Sequence, residues 1–340
     1  MKRTGKTLLI IALCLLGFGI LLTATAAVSM RVTGGSWRNN ANTRPAESQF
    51  ASMESISSLS LTLINEPIFI ESGSETVTIE WSQHYEEQYI FTQSGDSLSL
   101  SRQSTRFGPF GLFDFTWFNW GFNFGVEDGS NRPVTVRIPD GMTLERANLS
   151  GANIRIHIGD IDATEIIISG ANARVNMTET QSDDIIISGA NIAAIFSDVS
   201  GRSIEISGAN ANASLIDSSV GTVELRGANA ELKLNNVSAH DVYVSGANAE
   251  ASIYGDFSGN VHASGANAEV KLYNISAGNI HVSGANARVT ANLTDIESWG
   301  FMVDGLNAVL RVDGQRTSGS SGVNTIVANG INARIDVRTR

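Results

Sequence analysis

Val242-Tyr243-Val244-Ser245-Gly246-Ala247-Asn248-Ala249-Glu250-Ala251-Ser252-Ile253 alternates apolar and polar residues on both sides of its Ser-Gly pair. That is the period of a β-strand, whose successive side chains point to opposite faces. The phase slips at Ser245-Gly246. Val242 and Val244 sit at even positions, whereas Ala247, Ala249, Ala251 and Ile253 sit at odd ones. Both sets point inward only if the chain turns between them, so the stretch reads as two short strands joined at a corner.

The corner returns at a fixed interval. Asn153, Asn172, Asn191, Asn210, Asn229, Asn248, Asn267 and Asn286 fall 19 residues apart. Ser-Gly-Ala-Asn is intact at Ser150, Ser169, Ser188, Ser207, Ser245, Ser264 and Ser283, Arg226 replaces serine once, and Asp304-Gly305-Leu306-Asn307 and Asn329-Gly330-Ile331-Asn332 continue the pattern loosely. Fixed-period self-similarity means stacked repeats. With a polar connection such as Asn235 to Asp241 closing each coil, the expected fold is all-β: a single-stranded, right-handed parallel β-helix of about ten coils. A lone coil cannot bury enough surface to offset the entropy of ordering it, so each depends on its neighbours.

Two columns of this stack invite a physical reading. Gly151 and its equivalents hold one position throughout, as expected where the backbone needs positive φ or where no room exists for a Cβ. The adjacent asparagines fit a buried amide ladder, each side chain donating to one neighbour and accepting from the other. Tolerance of a left-handed corner conformation is the alternative.

Outside the repeats, the chain reads as an envelope protein. It carries 34 acidic against 23 basic residues, a net charge of -11, which disfavours nucleic acid as a partner because phosphate binding needs basic patches. Cys14 is the only cysteine, so no disulfide framework or cysteine-based metal site exists. The apolar run Leu8 to Val28 follows Lys2, Arg3 and Lys6 and, as a helix of ~31 Å, matches a hydrocarbon core of ~30 Å. The positive-inside rule puts its N-terminus in the cytoplasm and the bulk of the chain outside, as a single-pass anchor in the cell membrane. Ala24-Thr25-Ala26 offers a signal-peptidase site, and secretion after cleavage is the alternative. Leu13 stands before Cys14 where a lipoprotein signal needs a small residue. The expected organisation is an anchor or signal segment over 1–29, a polar linker over 30–52, a β-rich cap module over 53–141 and the β-helix over 142–340.

A strand-rich opening that ends in Val134-Thr135-Val136-Arg137-Ile138-Pro139-Asp140-Gly141, followed by short glycine-containing β repeats behind one N-terminal apolar segment, resembles the bacterial putative-adhesin family of β-strand-repeat proteins. The resemblance covers residues 53–340. It implies an envelope protein with a β-helix and supplies no catalytic residues or cofactor.

The strongest local anomaly lies between Arg106 and Phe124. Phe107, Phe110, Phe113, Phe115, Trp117, Phe118, Trp120, Phe122 and Phe124 are nine of the chain's 24 aromatic residues (14 Phe, 5 Trp, 5 Tyr). Exposed, they form a binding or membrane-interface patch; folded inward, a hydrophobic plug over the first coil. Specificity in recognition rests on such anchors, so Phe113, Phe115, Trp117, Phe118, Trp120, Phe122 and Phe124 are the candidate binding residues, with a cell-surface glycan or protein as ligand.

Outward columns supply further candidates. Glu231, Glu250 and Glu269 should stack, with Arg288 next and Lys233 and Lys271 alongside; a divalent cation or the lysines can relieve their repulsion. His262 and His281 share a column with Tyr243, Glu224 and Glu205, but a flat face lacks an enclosing fourth zinc ligand. Sugar-cleaving chemistry needs paired carboxylates or a base beside a cation in a groove, and no such pair stands apart from its neighbours. The expectation is a non-enzymatic adhesin or envelope-organising protein without cofactor or metal. The alternatives are a polysaccharide-acting enzyme and an envelope sensor or scaffold working with a membrane partner.

Overall fold

The computed structural model describes residues 47–83, 87–104 and 133–339, apart from 256, 258, 276, 277, 294 and 295. The run Leu8 to Val28, the spacer after it and the aromatic stretch 107–124 lie outside the described residues. Among the described residues all regular structure is β, and every strand belongs to one continuous sheet wound around a single apolar core.

The period of the sequence becomes the register of the sheet. Thr143–Gly159, Asp162–Thr178, Gln181–Ser197 and Ser200–Ile216 are strands of 17 residues each. They pair in parallel, one repeat apart, so that Ile185 faces Ile204, Gly189 faces Gly208 and Asn191 faces Asn210. Pairing skips Asp183 and Ala190, and the inward face changes phase at both places. The ladder turns its corners there without breaking. From Ser219 onward the strand divides at the Gly-Ala pair, as in Ser219–Arg226 and Asn229–Asn235.

Inward columns make the core. Ile158, Met177, Phe196, Leu215, Leu234, Ile253 and Leu272 stack one above another and are fully buried, each contributing ~1.5–3 kcal/mol of apolar burial. Where hydroxyls enter the core they find backbone partners. Thr180 Oγ1 donates to Thr178 O at 2.9 Å, and Ser218 Oγ donates to Ile216 O at 2.7 Å while accepting from Val199 N at 3.1 Å.

The left-handed conformation belongs to the other corner of the coil. Asp160, Glu179, Asp198, Asp217, Asn236 and Asn274 have φ of 52°, 49°, 55°, 48°, 54° and 58°, and Gly255 takes the same place at 81°. Short polar side chains and glycine tolerate this region. The Ser-Gly-Ala-Asn corner needs its glycine for space instead. A Cβ on Gly246 would lie 1.8 Å from Gly227 O, and one on Gly265 would lie 1.9 Å from Gly246 O. Each corner presses directly on the corner beneath it.

Both ends of the stack depart from sequence order. Ser58–Leu63 and Pro67–Ser74 form the layer beneath Thr143–Gly159, with Leu59 facing Ala147 and Pro67 facing Arg155. Under them lie Ser97–Ser104 and Val134–Pro139, again parallel. Antiparallel strands then cover this end: Glu87–Ser94 on Ser97–Ser104, Val77–Gln83 on Val134–Pro139, and Glu47–Met53 on Val77–Gln83. They occupy edges that would otherwise stand open. At the far end Asn324–Asn329 and Arg334–Thr339 stack on Asn279–Ser283 and Asn286–Leu293, and Trp299–Asp304 and Val309–Val312 stack on top of them. Eight coils from Thr143 to Leu293, two layers beneath and two above make twelve among the described residues. This exceeds the count of Ser-Gly-Ala-Asn-like corners because residues 53–141 contribute coils of their own as well as a cover.

Candidate functional site

Asparagine side chains link every layer but the lowest. Asn172, Asn191, Asn210, Asn229, Asn248, Asn267 and Asn286 each donate from Nδ2 to Oδ1 of the asparagine one coil below, at 2.6–2.8 Å. Asn153 continues the column to Asn65 in the cap layer at 2.9 Å. Asn332 donates to Asn286, and Asn307 to Asn332, both at 2.8 Å. Asn65 lies outside the repeat motif in Ile64-Asn65-Glu66-Pro67, and only its register, with Leu63 opposite Gly151, reveals it. The column is exposed along its length, not buried, because the corner turns the side chains outward. An amide carries two N–H donors and an oxygen with two lone pairs. Each rung thus spends half of its capacity on the ladder and turns the other half to solvent.

A groove of 1310 Å³ follows the column. The asparagines and the small residues after them, such as Ala173, Ala211 and Ala230, line it along its length. The next outward position supplies its charge: Arg155 and Arg174 toward the cap, then Ala193 and Asn212, then Glu231, Glu250 and Glu269, and finally Arg288. The cap end is lined by Glu66, Tyr89 and Arg102.

Glu66 is a buried carboxylate with a full set of partners. It accepts from Ile64 N at 2.9 Å, Asn65 N at 3.0 Å and Tyr89 Oη at 2.9 Å, and it pairs with the Arg102 guanidinium. Burial by itself raises its pKa, but the backbone N–H of Ile64, the Arg102 charge and the Tyr89 hydroxyl outweigh it and hold the carboxyl below its ordinary value. The pair fixes the corner from which the ladder starts.

The stacked carboxylates carry an ion-pair network. Asn212 Nδ2 donates to Glu231 Oε2 at 2.9 Å, Lys233 Nζ lies 2.7 Å from Glu231 Oε1, and Lys271 bridges Glu250 and Glu269. Among the described residues no group of three or more His, Cys, Asp or Glu is placed to hold a metal ion. Tyr243 and His262 stack with centroids 5.1 Å apart, and His281 tilts against His262 at 6.2 Å. Glu205 and Glu224 follow below in the same register.

The aromatic candidates Phe113, Phe115, Trp117, Phe118, Trp120, Phe122 and Phe124 lie outside the described residues. The strands on either side of them are described. Ser97–Ser104 ends, and Val134–Pro139 begins, beside the corner that, one layer up, carries Asn65 and Glu66.

A "putative adhesin" from Parabacteroides merdae is 10% identical, with 88% of this chain and 97% of that one covered and a TM-score of 0.36. One from Parabacteroides distasonis is 13% identical over 87% and 97%, with a TM-score of 0.33. A "putative cell adhesion protein" from Clostridium sporogenes is 9% identical over 87% and 100%, with a TM-score of 0.21. No curated protein matches the chain. The family model described as Toastrack DUF4097 matches residues 56–325, most of the sequence, and the chain belongs to that family.

Proposed function

We propose that this protein is a non-catalytic, membrane-anchored surface protein that holds its solenoid outside the cell for adhesion or envelope organisation. The observation that carries the reading is the groove of 1310 Å³ along the asparagine column, in which one chemical group recurs at every coil. Repetition of this kind suits an extended ligand with a repeating structure of its own, since many weak contacts add along its length. The run Leu8 to Val28 is the membrane anchor in this reading, with the N-terminus cytoplasmic. Phe113 to Phe124 supply the aromatic anchors in this reading, since selectivity concentrates on a few such side chains.

Cells expressing the full chain should adhere to glycan-coated surfaces or to one another more than cells lacking it. Adhesion should fall at least tenfold with Trp117→Ala and Trp120→Ala together, at unchanged surface level. Equal adhesion with and without the protein would overturn the reading.

A further inference from the structure

The basic residues of the described strands divide into those held by a carboxylate and those that are not. Arg137, Arg146, Arg202, Arg226, Lys233, Lys271 and Arg334 each have a carboxylate partner. Arg155 and Arg174 are exposed, stand in register on adjacent coils and line the groove beside Asn153 and Asn172. Among the described residues neither forms an ion pair. Arg288, Arg311, Arg316 and Arg338 also lack an ion pair among the described residues, but only Arg155 and Arg174 combine adjacent coils with a shared place in the groove, and two guanidinium groups one strand spacing apart, ~4.8 Å, repel each other unless an anion lies between them.

The surroundings favour an anion there. The only acidic residue lining the groove's cap half is Glu66, and Arg102 neutralises it. The ladder adds to the field. Every rung donates from Nδ2 toward the cap, so the amide dipoles align with their positive ends toward Arg155 and Arg174. Beyond Asn212 the sign reverses, and Glu231 begins a run of carboxylates along the groove. A uniformly charged polymer could occupy the cap half and would be repelled past Asn212.

We infer that the cap half of this groove, from Asn65 to Asn212, binds a short segment of an acidic polysaccharide. Arg155 and Arg174 take the carboxylates of successive uronate units, and the outward halves of the asparagine amides take the hydroxyls. Guanidinium groups suit carboxylates because they present paired N–H donors in one plane. A free amide N–H together with a free lone pair at each coil suits hydroxyls, which both donate and accept. The choice of glycan over acidic peptide rests on spacing: an extended polypeptide repeats its same-side groups every ~6.8 Å, out of step with coils ~4.8 Å apart, whereas one sugar unit per coil keeps its polar groups in step with the rungs. The inference deepens the adhesion reading by naming a ligand class for its groove.

The test is binding of alginate oligomers, which are chains of uronates, to the full chain in detergent, followed by calorimetry at low and physiological salt. Neutral dextran, polyglutamate and polyphosphate serve as comparisons. Alginate should bind, dextran and polyglutamate should bind at least tenfold more weakly, and Arg155→Gln with Arg174→Gln should weaken alginate at least tenfold without shifting the thermal melt. Arg316→Gln, an exposed arginine away from the groove, should change nothing. Absence of alginate binding, unchanged binding by the double variant, an equal loss with Arg316→Gln, or equal or tighter binding of polyglutamate or polyphosphate would each overturn the assignment. Cell adhesion that persists when alginate fails would leave the adhesion reading standing, and alginate binding without adhesion would remove that reading alone.

Discussion

Asn332 donates to Asn286 at 2.8 Å across 46 residues of sequence, whereas Asn286 reaches Asn267 across 19. The column follows the order of layers in space, and the chain is rearranged to keep it continuous. That continuity gives the ladder measurable worth. Asn229→Ala removes two rungs, to Asn210 and from Asn248. Both are exposed, so the expected loss is about 1–2 kcal/mol in urea unfolding, near the net value of ordinary hydrogen bonds. A loss under ~0.3 kcal/mol would mean that water replaces the rungs at no cost.

Corner glycines should separate by contact. Gly246→Ala places a methyl group where Gly227 O lies 1.8 Å away, and it should cost about 3 kcal/mol or more because the obstacle is backbone that cannot step aside. Gly141 has open space around it but φ of 73°, so Gly141→Ala should cost only about 1–2 kcal/mol through strain. Thermal melts of the two variants compare them directly.

Glu179 is the one long acidic side chain in the left-handed column, at φ 49° between Asp160 and Asp198. Asn adopts this conformation more readily and removes a like charge from a row of acids. Glu179→Asn should therefore stabilise the protein by about 0.5–1 kcal/mol, read as a rise in the urea midpoint without a change in slope.

The pair at the base of the ladder should be sensitive to acid. The Glu66 carboxyl is held below its ordinary value of 4.5 in the folded protein. The unfolded chain thus takes up the proton first as pH falls. Stability from this group is complete above the unfolded pKa and is lost as pH drops from there through the lower folded value. Glu66→Gln should cost about 1–3 kcal/mol at pH 7, because it removes a charge-assisted pairing from a mostly buried site, and should flatten the pH dependence of the melt below pH 4.5.

Much of the stack was legible because one interval controls it. Val242, Val244, Ala249 and Ile253 announce their inward faces by alternation, and the slip at Ser245-Gly246 announces the corner. The layers Ser58–Leu63 and Pro67–Ser74 were harder to read as coils, since they pair with residues some 88 positions away, as Thr62 does with Ser150. The left-handed corner was hidden for a different reason. Asp, Glu, Asn and Gly all satisfy the same φ, so the column has a shared conformation but no shared letter. Arg155 and Arg174 look unexceptional in sequence, and their significance appears only once the register sets them side by side in the groove.

The inverted order at the far end has a temporal side. Trp299–Asp304 and Val309–Val312 rest on Asn324–Asn329 and Arg334–Thr339, strands that leave the ribosome after them. Coils up to Leu293 can add one by one in chain order, each settling on a finished neighbour. The outermost layer has no seat until Asn324–Asn329 and Arg334–Thr339 have docked beneath it, so the stack cannot close by simple growth in chain order and its last layer waits on residues that follow it.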